Sequence, residues 1–155
     1  MAMRRLSTIL VIGLMLVAAP VAEADDRALS WDKELVSLER GRGVARFSGQ
    51  GVLWGGFARG KIRVTDLPGG AATEIGVYGA ERVTVVNAIT RVYSGRYITF
   101  NIHTGRWKVG ITARGINASA VLRGTMWLGG PAGTYTIEDR ERSWPLELTR
   151  FTLGG

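Results

Sequence analysis

From Gly41 onward no stretch of ten residues spaces its apolar side chains as a helix would. Short runs rich in β-branched and aromatic residues alternate instead with glycine, the pattern of strands joined by turns. In Lys61-Ile62-Arg63-Val64-Thr65 the alternation is clean and puts Ile62 and Val64 inward. Asp66-Leu67-Pro68-Gly69-Gly70 follows as a turn, in which Pro68 presets φ and Gly69 is free to take a positive φ. Arg82 to Val86 and Ala88 to Tyr93 read as further strands.

In the middle of the chain, Ser94-Gly95 and Thr104-Gly105 lie about ten residues apart between alternating runs. This spacing predicts a three-stranded antiparallel meander. Ile98, Phe100 and Ile102 share one face of it, while Tyr97, Thr99, Asn101 and His103 share the other. Trp107, Val109 and Ile111 continue the apolar face. Ala118 to Leu128 and Gly133 to Ile137 read as strands, and Glu138 to Arg142 as a charged turn. Pro145 to Phe151 closes the chain, with Leu146 and Leu148 expected inward. The segment from Ala28 to Arg40 fits a helix or a strand and is taken as strand-like.

A 73-residue shift aligns Ala45 with Ala118, Gly51 with Gly124, Trp54 with Trp127, Gly56 with Gly129 and Gly60 with Gly133. Two copies at this spacing do not make a solenoid, but they suit two equivalent halves. The expected fold is therefore all-β: an antiparallel β-sandwich, jelly-roll-like and pseudo-twofold, with a small closed β-barrel as the alternative. Trp54, Trp107 and Trp127 are expected in the core, Trp31 and Trp144 at the surface.

The N-terminus is of a different kind. Arg4 and Arg5 precede an apolar run from Ile9 to Ala19, and Ala22-Glu23-Ala24 offers small residues at a cleavage site. That is the layout of a secretory signal peptide over residues 1–24. The apolar run is too short for a spanning helix unless Ser7, Thr8 and Pro20 lie within it. A single all-β domain over residues 25–155 then remains, with no transmembrane anchor after cleavage and a secreted, periplasmic or envelope location of the bacterial export type. The chain has no cysteine, so neither disulfides nor a lipidated cysteine can hold it. A segment of 131 residues is long enough to bury about two-thirds of its surface in one core.

Charge supplies the functional expectation. Residues 25–155 carry eighteen basic and twelve acidic side chains, a net charge of +6, and arginine outnumbers lysine 17 to 3 in the whole chain. Arg59, Lys61 and Arg63 point to one side of a strand, opposite Ile62 and Val64, and Arg42 and Arg46 lie nearby in sequence. Guanidinium groups hold phosphate or carboxylate through two parallel hydrogen bonds. These five residues are therefore the candidate ligand site of a non-catalytic binding or envelope-associated protein. Its partner would be an anionic extracellular polymer, either polysaccharide or phosphate-rich. Nucleic acid is not expected as a partner outside the cell.

Three other functions compete with this one, among them an outer-membrane barrel, whose polar lumen would take arginines at alternate positions but whose strands would need to be longer than many runs here. A self-assembling surface protein would use exposed, glycine-rich edge strands. A small secreted hydrolase would need two carboxylates across a cleft, drawn from Glu34, Glu39, Asp66, Glu74 and Glu81. No catalytic residue, metal ligand set or cofactor is assigned. His103 is the only histidine, no serine sits in a G-x-S-x-G elbow, and the glycines from Gly49 to Gly56 lack the strand-then-helix setting of a phosphate loop. Glu138, Asp139 and Glu141 interleave with Arg140 and Arg142 without the order of a calcium loop.

Overall fold

The computed structural model describes residues 33–155. The signal-peptide segment and Trp31 lie outside the described residues. Seven strands form one antiparallel sheet without a helix: β1 (Glu34–Leu67), β2 (Glu74–Tyr78), β3 (Arg82–Val85), β4 (Thr90–His103), β5 (Arg106–Ile137), β6 (Arg140–Ser143) and β7 (Thr149–Leu153). The strand order is β2-β4-β1-β5-β6, with β3 also on β4 and β7 also on β5. The sheet is not closed into a barrel, so the closed-barrel alternative fails: β2 and β3 form one margin, β6 and β7 the other.

Two strands dominate, and they pair with each other twice. Val44 faces Thr112 on one edge and Gly129 on the other, and Thr112 faces Lys61 on its second edge. Val44 and Lys61 are thus separated sideways by one β5 residue, although they are 17 residues apart in the same strand. Stretched out, 17 residues would span about 55 Å; two strand spacings are about 10 Å. The β1–β5 ribbon therefore winds back on itself.

The 73-residue shift is carried into this pairing. Gln50 faces Arg123, its own counterpart under the shift. Gly51 faces Leu122, and their counterparts Gly124 and Gly49 face each other. The second ladder, from Glu34 facing Leu122 to Gly49 facing Trp107, pairs residues 34–49 with their counterparts 107–122.

Burial follows the alternation but changes phase along each long strand. Val36 and Leu38 point inward, then Ala45, Phe47, Leu53 and Phe57, then Ile62 and Val64. Each change needs one extra residue in the ladder, because the side-chain period of a strand is 2. The first falls at Arg40, whose φ is 49° and whose backbone N–H donates to Asn117 Oδ1 at 2.9 Å. In β5 the inward set passes from Trp107, Val109 and Ile111 to Ile116, Ala118, Ala120 and Leu122, across Gly115 at φ 69°.

Several expectations hold. Ile62 and Val64 are buried, as are Ile98, Phe100 and Ile102. The chain bends after Leu67, with Gly69 at φ 96°. Others need correction. Ser94-Gly95 is not a turn, because β4 runs through it as an irregular stretch with Tyr97 at φ 51°. The meander does not form: Thr104-Gly105 does turn the chain, at φ 64° and 67°, but β4 and β5 then each pair with β1 rather than with each other. The charged turn narrows to Glu138-Asp139, with Arg140 and Arg142 already in β6. Leu146 and Leu148 are exposed, and it is Leu153 that enters the core.

The tryptophans also sort differently. Trp107 is fully buried and its Nε1–H donates to the Gly51 carbonyl at 3.3 Å. Trp144 is buried too, because its ring rests on Gly41 and Gly133 and its Nε1–H donates to the Thr134 carbonyl at 3.0 Å. Trp127 is half-buried, with the Arg150 guanidinium 5.9 Å from its ring centre. Trp54 is exposed.

A methyl group at Gly41 would fall inside the Trp144 ring, whereas one at Gly70 would meet nothing within 4 Å. Gly41→Ala is expected to cost about 1–3 kcal/mol by overpacking, and Gly70→Ala to leave stability unchanged or slightly higher. Urea unfolding midpoints of the two variants check this; equal midpoints would contradict the seating of Trp144.

Candidate anion-binding face

The winding of β1 decides where its cations end up. Arg42 and Arg46 lie in its first half, Arg59, Lys61 and Arg63 in its second, and residues 108–114 of β5 run between the two halves. Arg59 and Arg42 both face Arg114, from its two sides, and Arg96 of β4 lies beyond Arg59. Arg63 and Arg46 both face Gly110. Thr65 and Ser48 both face Lys108. Paired residues in an antiparallel sheet project from the same face. All five predicted residues are exposed and share the face opposite Ala45, Phe47, Ile62, Val64, Val109 and Ile111.

Lys108 and Arg114 are site residues that the sequence reading missed. Their signal was present: they alternate with Trp107, Val109 and Ile111 just as Lys61 and Arg63 alternate with Ile62 and Val64. The interleaving of β5 between the halves of β1 was not readable, because it depends on register.

Neighbouring strands lie about 4.8 Å apart, and same-face residues along a strand about 6.7 Å apart. The face is thus a lattice of positive charge with spacings of that order. No Asp or Glu occupies an outward position of the paired segments 42–48, 59–65 and 108–114. Among the described residues, none of these seven cations has a carboxylate within ion-pair distance. Arg96 does, at the margin: its Nε is 3.9 Å from Glu81 Oε1, with both side chains well exposed. Such a pair contributes little.

Gly110 gives the face its relief. It carries no side chain between Arg46 and Arg63, and a cavity of about 500 Å³ opens there. Its lining includes Arg46, Arg63, Lys108, Thr65 and Thr90, and the two threonine hydroxyls lie 3.1 Å apart. Two planar guanidinium forks, one ammonium group and hydroxyl donors around a hollow can bind and orient a phosphate, sulfate or carboxylate group. The lining holds no carboxylate, imidazole or thiol.

The five acids considered for hydrolysis have separate local partners. Glu34 Oε2 accepts from the Gly154 N–H at 3.1 Å, Asp66 accepts from the Thr73 hydroxyl at 2.7 Å, Glu74 lies 3.3 Å from His103, Glu81 lies by Arg96, and Glu39 borders a separate groove. Among the described residues no group of three His, Cys, Asp or Glu side chains comes together.

Seven unneutralised cations on one face repel one another, and salt screens that repulsion. Raising NaCl from about 10 to 200 mM is therefore expected to raise the thermal midpoint, and Arg114→Glu to weaken that response. A midpoint that falls with salt would show that the cations are neutralised within the protein.

No family model matches the chain, and neither a curated protein nor a solved structure does.

Proposed function

We propose that the chain is an exported, non-catalytic binding protein of the cell envelope that holds an anionic extracellular polymer, polysaccharide or phosphate-rich, against the face formed by β1 and residues 108–114. The observation that carries this reading is the pair Arg46 and Arg63 on either side of Gly110, with Lys108 beside them. A single surface ion pair contributes at most about 1 kcal/mol. Useful affinity on such a face must come from several contacts made together, and a polymer with regularly spaced charges supplies them. A cation lattice several strands wide fits such a ligand better than one isolated ion.

The proposal includes a route and a frame. Residues 1–24 act as the secretory signal, and the polymer retains the exported chain at the envelope. The ribbon folds into two layers as a jelly-roll-like sandwich, pseudo-twofold about the Gln50–Arg123 pair. The support for this is that the second β1–β5 ladder pairs residues 34–49 with residues 107–122, their own counterparts under the 73-residue shift.

Gly110 supplies the cleanest test. A Cβ there would come no closer than 4.0 Å to its nearest neighbour, the Arg46 side chain. Gly110→Glu therefore places a carboxylate in the hollow without strain. The full chain is titrated with polyphosphate and with polygalacturonate at about 25 mM NaCl. It is expected to bind at least one of them, and to lose about tenfold or more in affinity by 300 mM NaCl. Gly110→Glu is expected to lose about tenfold (~1.4 kcal/mol) or more at low salt. Arg140→Ala/Arg142→Ala, which removes two cations from β6, should stay close to the parent. Failure to bind either polymer, or equal losses in the two variants, would overturn the reading.

A further inference from the structure

Further along the ribbon the outer surface changes character. Successive pairings place Thr136, Ser37, Ser119, Trp54, Asn101 and Gly76 in one row across the sheet. The row contains no charged side chain until its β6 end, where Glu141 faces Thr136. Trp54 is 41% exposed and Tyr78 is 65% exposed. Tyr78 stands two residues beyond Gly76 in β2 and folds back over it: a Cβ on Gly76 would lie 3.0 Å from Tyr78 Oη and 3.2 Å from Cε2. The phenol ring thus lies beside Asn101, on the face that carries Trp54. With β4 between them, the backbone of Trp54 and that of Gly76, which seats the phenol ring, are two strand spacings or about 10 Å apart.

The surface between and beside the rings is low and polar. Gly56 lies between Asn117 and Thr99 and leaves a trough there. A groove of about 360 Å³ runs along Trp54, lined also by Ser37, Glu39, Gly55, Asn117 and Ser119. Charge borders the strip, as Glu39 and Glu141 on one side and the His103–Glu74 pair on the other. Trp127, the counterpart of Trp54 under the 73-residue shift, has Arg150 over its ring. Trp54 has no such cover among the described residues.

We propose that Trp54 and Tyr78, with Ser37, Ser119, Asn101 and Thr99 around them, form a binding strip for a neutral polysaccharide. A sugar ring has an apolar C–H face and a rim of hydroxyls. An exposed aromatic ring suits the face, and nearby hydroxyl and amide groups suit the rim. The spacing of the two positions across β4 is of the order of two repeats in an extended sugar chain. An anionic polymer gains nothing on this strip, because the carboxylates that border it, Glu39, Glu74 and Glu141, repel it. The proposal stands on its own observations and does not depend on the anionic reading.

The test is co-sedimentation of the full chain with microcrystalline cellulose, chitin and starch granules. It is run at about 0.5 M NaCl, where the screening length is a few ångström and the basic face is silenced. Binding to at least one of the three is expected. Trp54→Ala should reduce it about tenfold or more, Tyr78→Ala severalfold, and Tyr78→Phe little. Gly110→Glu should leave it unchanged, which separates this strip from the basic face. Trp54 is exposed, so Trp54→Ala should keep the parent's unfolding midpoint. Absence of binding to all three, or undiminished binding by Trp54→Ala, would overturn the proposal. So would a change of oligomeric state in Trp54→Ala, measured by sedimentation velocity, without sugar binding by the parent; that result would mark the strip as a protein interface.

Discussion

Backbone contact between β1 and β5 at Gly49 and Gly124 is the constraint on which the rest of the structure depends. The two residues face each other, with φ values of 154° and 156° that L side chains rarely adopt. A Cβ on either one would run into the partner strand's backbone: at Gly49 into the Arg123 carbonyl, at Gly124 into the Ser48 carbonyl. Two strands can approach this closely only where both lack side chains. Beside this contact lies the Gln50–Arg123 pair about which the 73-residue shift turns. The winding brings residues 34–49 of β1 against residues 107–122 of β5, and with that second ladder a long ribbon acquires an inside.

Both faces of the sheet follow from this. Inside, the winding gathers Phe47, Leu53, Ile62, Trp107, Ile111, Leu122 and Met126 into one core without a disulfide. Outside, it collects residues far apart in sequence into patches of uniform character. Cations from both halves of β1 and from β5 meet around Gly110, while hydroxyls, an amide and two aromatic rings meet around Trp54. Neither patch exists on any single strand. A glycine serves each one: Gly110 leaves the hollow between arginines, and Gly76 seats the Tyr78 ring.

Much of the local structure was legible in the sequence, because alternation is a local property. The inward sets Ile62 and Val64, then Ile98, Phe100 and Ile102, follow from period-2 spacing alone. So does the shared outward direction of Arg59, Lys61 and Arg63. Long-range pairing was not legible. Thr104-Gly105 has the composition of a hairpin turn, yet the strands on either side of it pair with β1, since the wound ribbon offers β4 and β5 the same β1 edge in succession. Ser94-Gly95 resembles a turn but is an irregularity within β4, as Gly95 and Tyr97 let the strand change phase without reversing. Trp54 and Trp144 exchanged their expected places for a similar reason. Burial of Trp144 depends on Gly41 and Gly133, which are adjacent to it only after β5 and β1 have paired.

β1 winds so that Arg46 and Arg63 stand on either side of Gly110. The chain has no cysteine, so Arg46→Cys/Arg63→Cys can be spin-labelled at those two sites alone, and both positions are exposed. Continuous-wave electron paramagnetic resonance on the labelled double variant should show strong dipolar broadening, from labels two strand spacings or about 10 Å apart at their attachment points. A spectrum equal to the sum of the two single-label spectra would place them well beyond that range, as in a straight β1 where 17 residues span about 55 Å. It would contradict the wound ribbon and the basic face built on it.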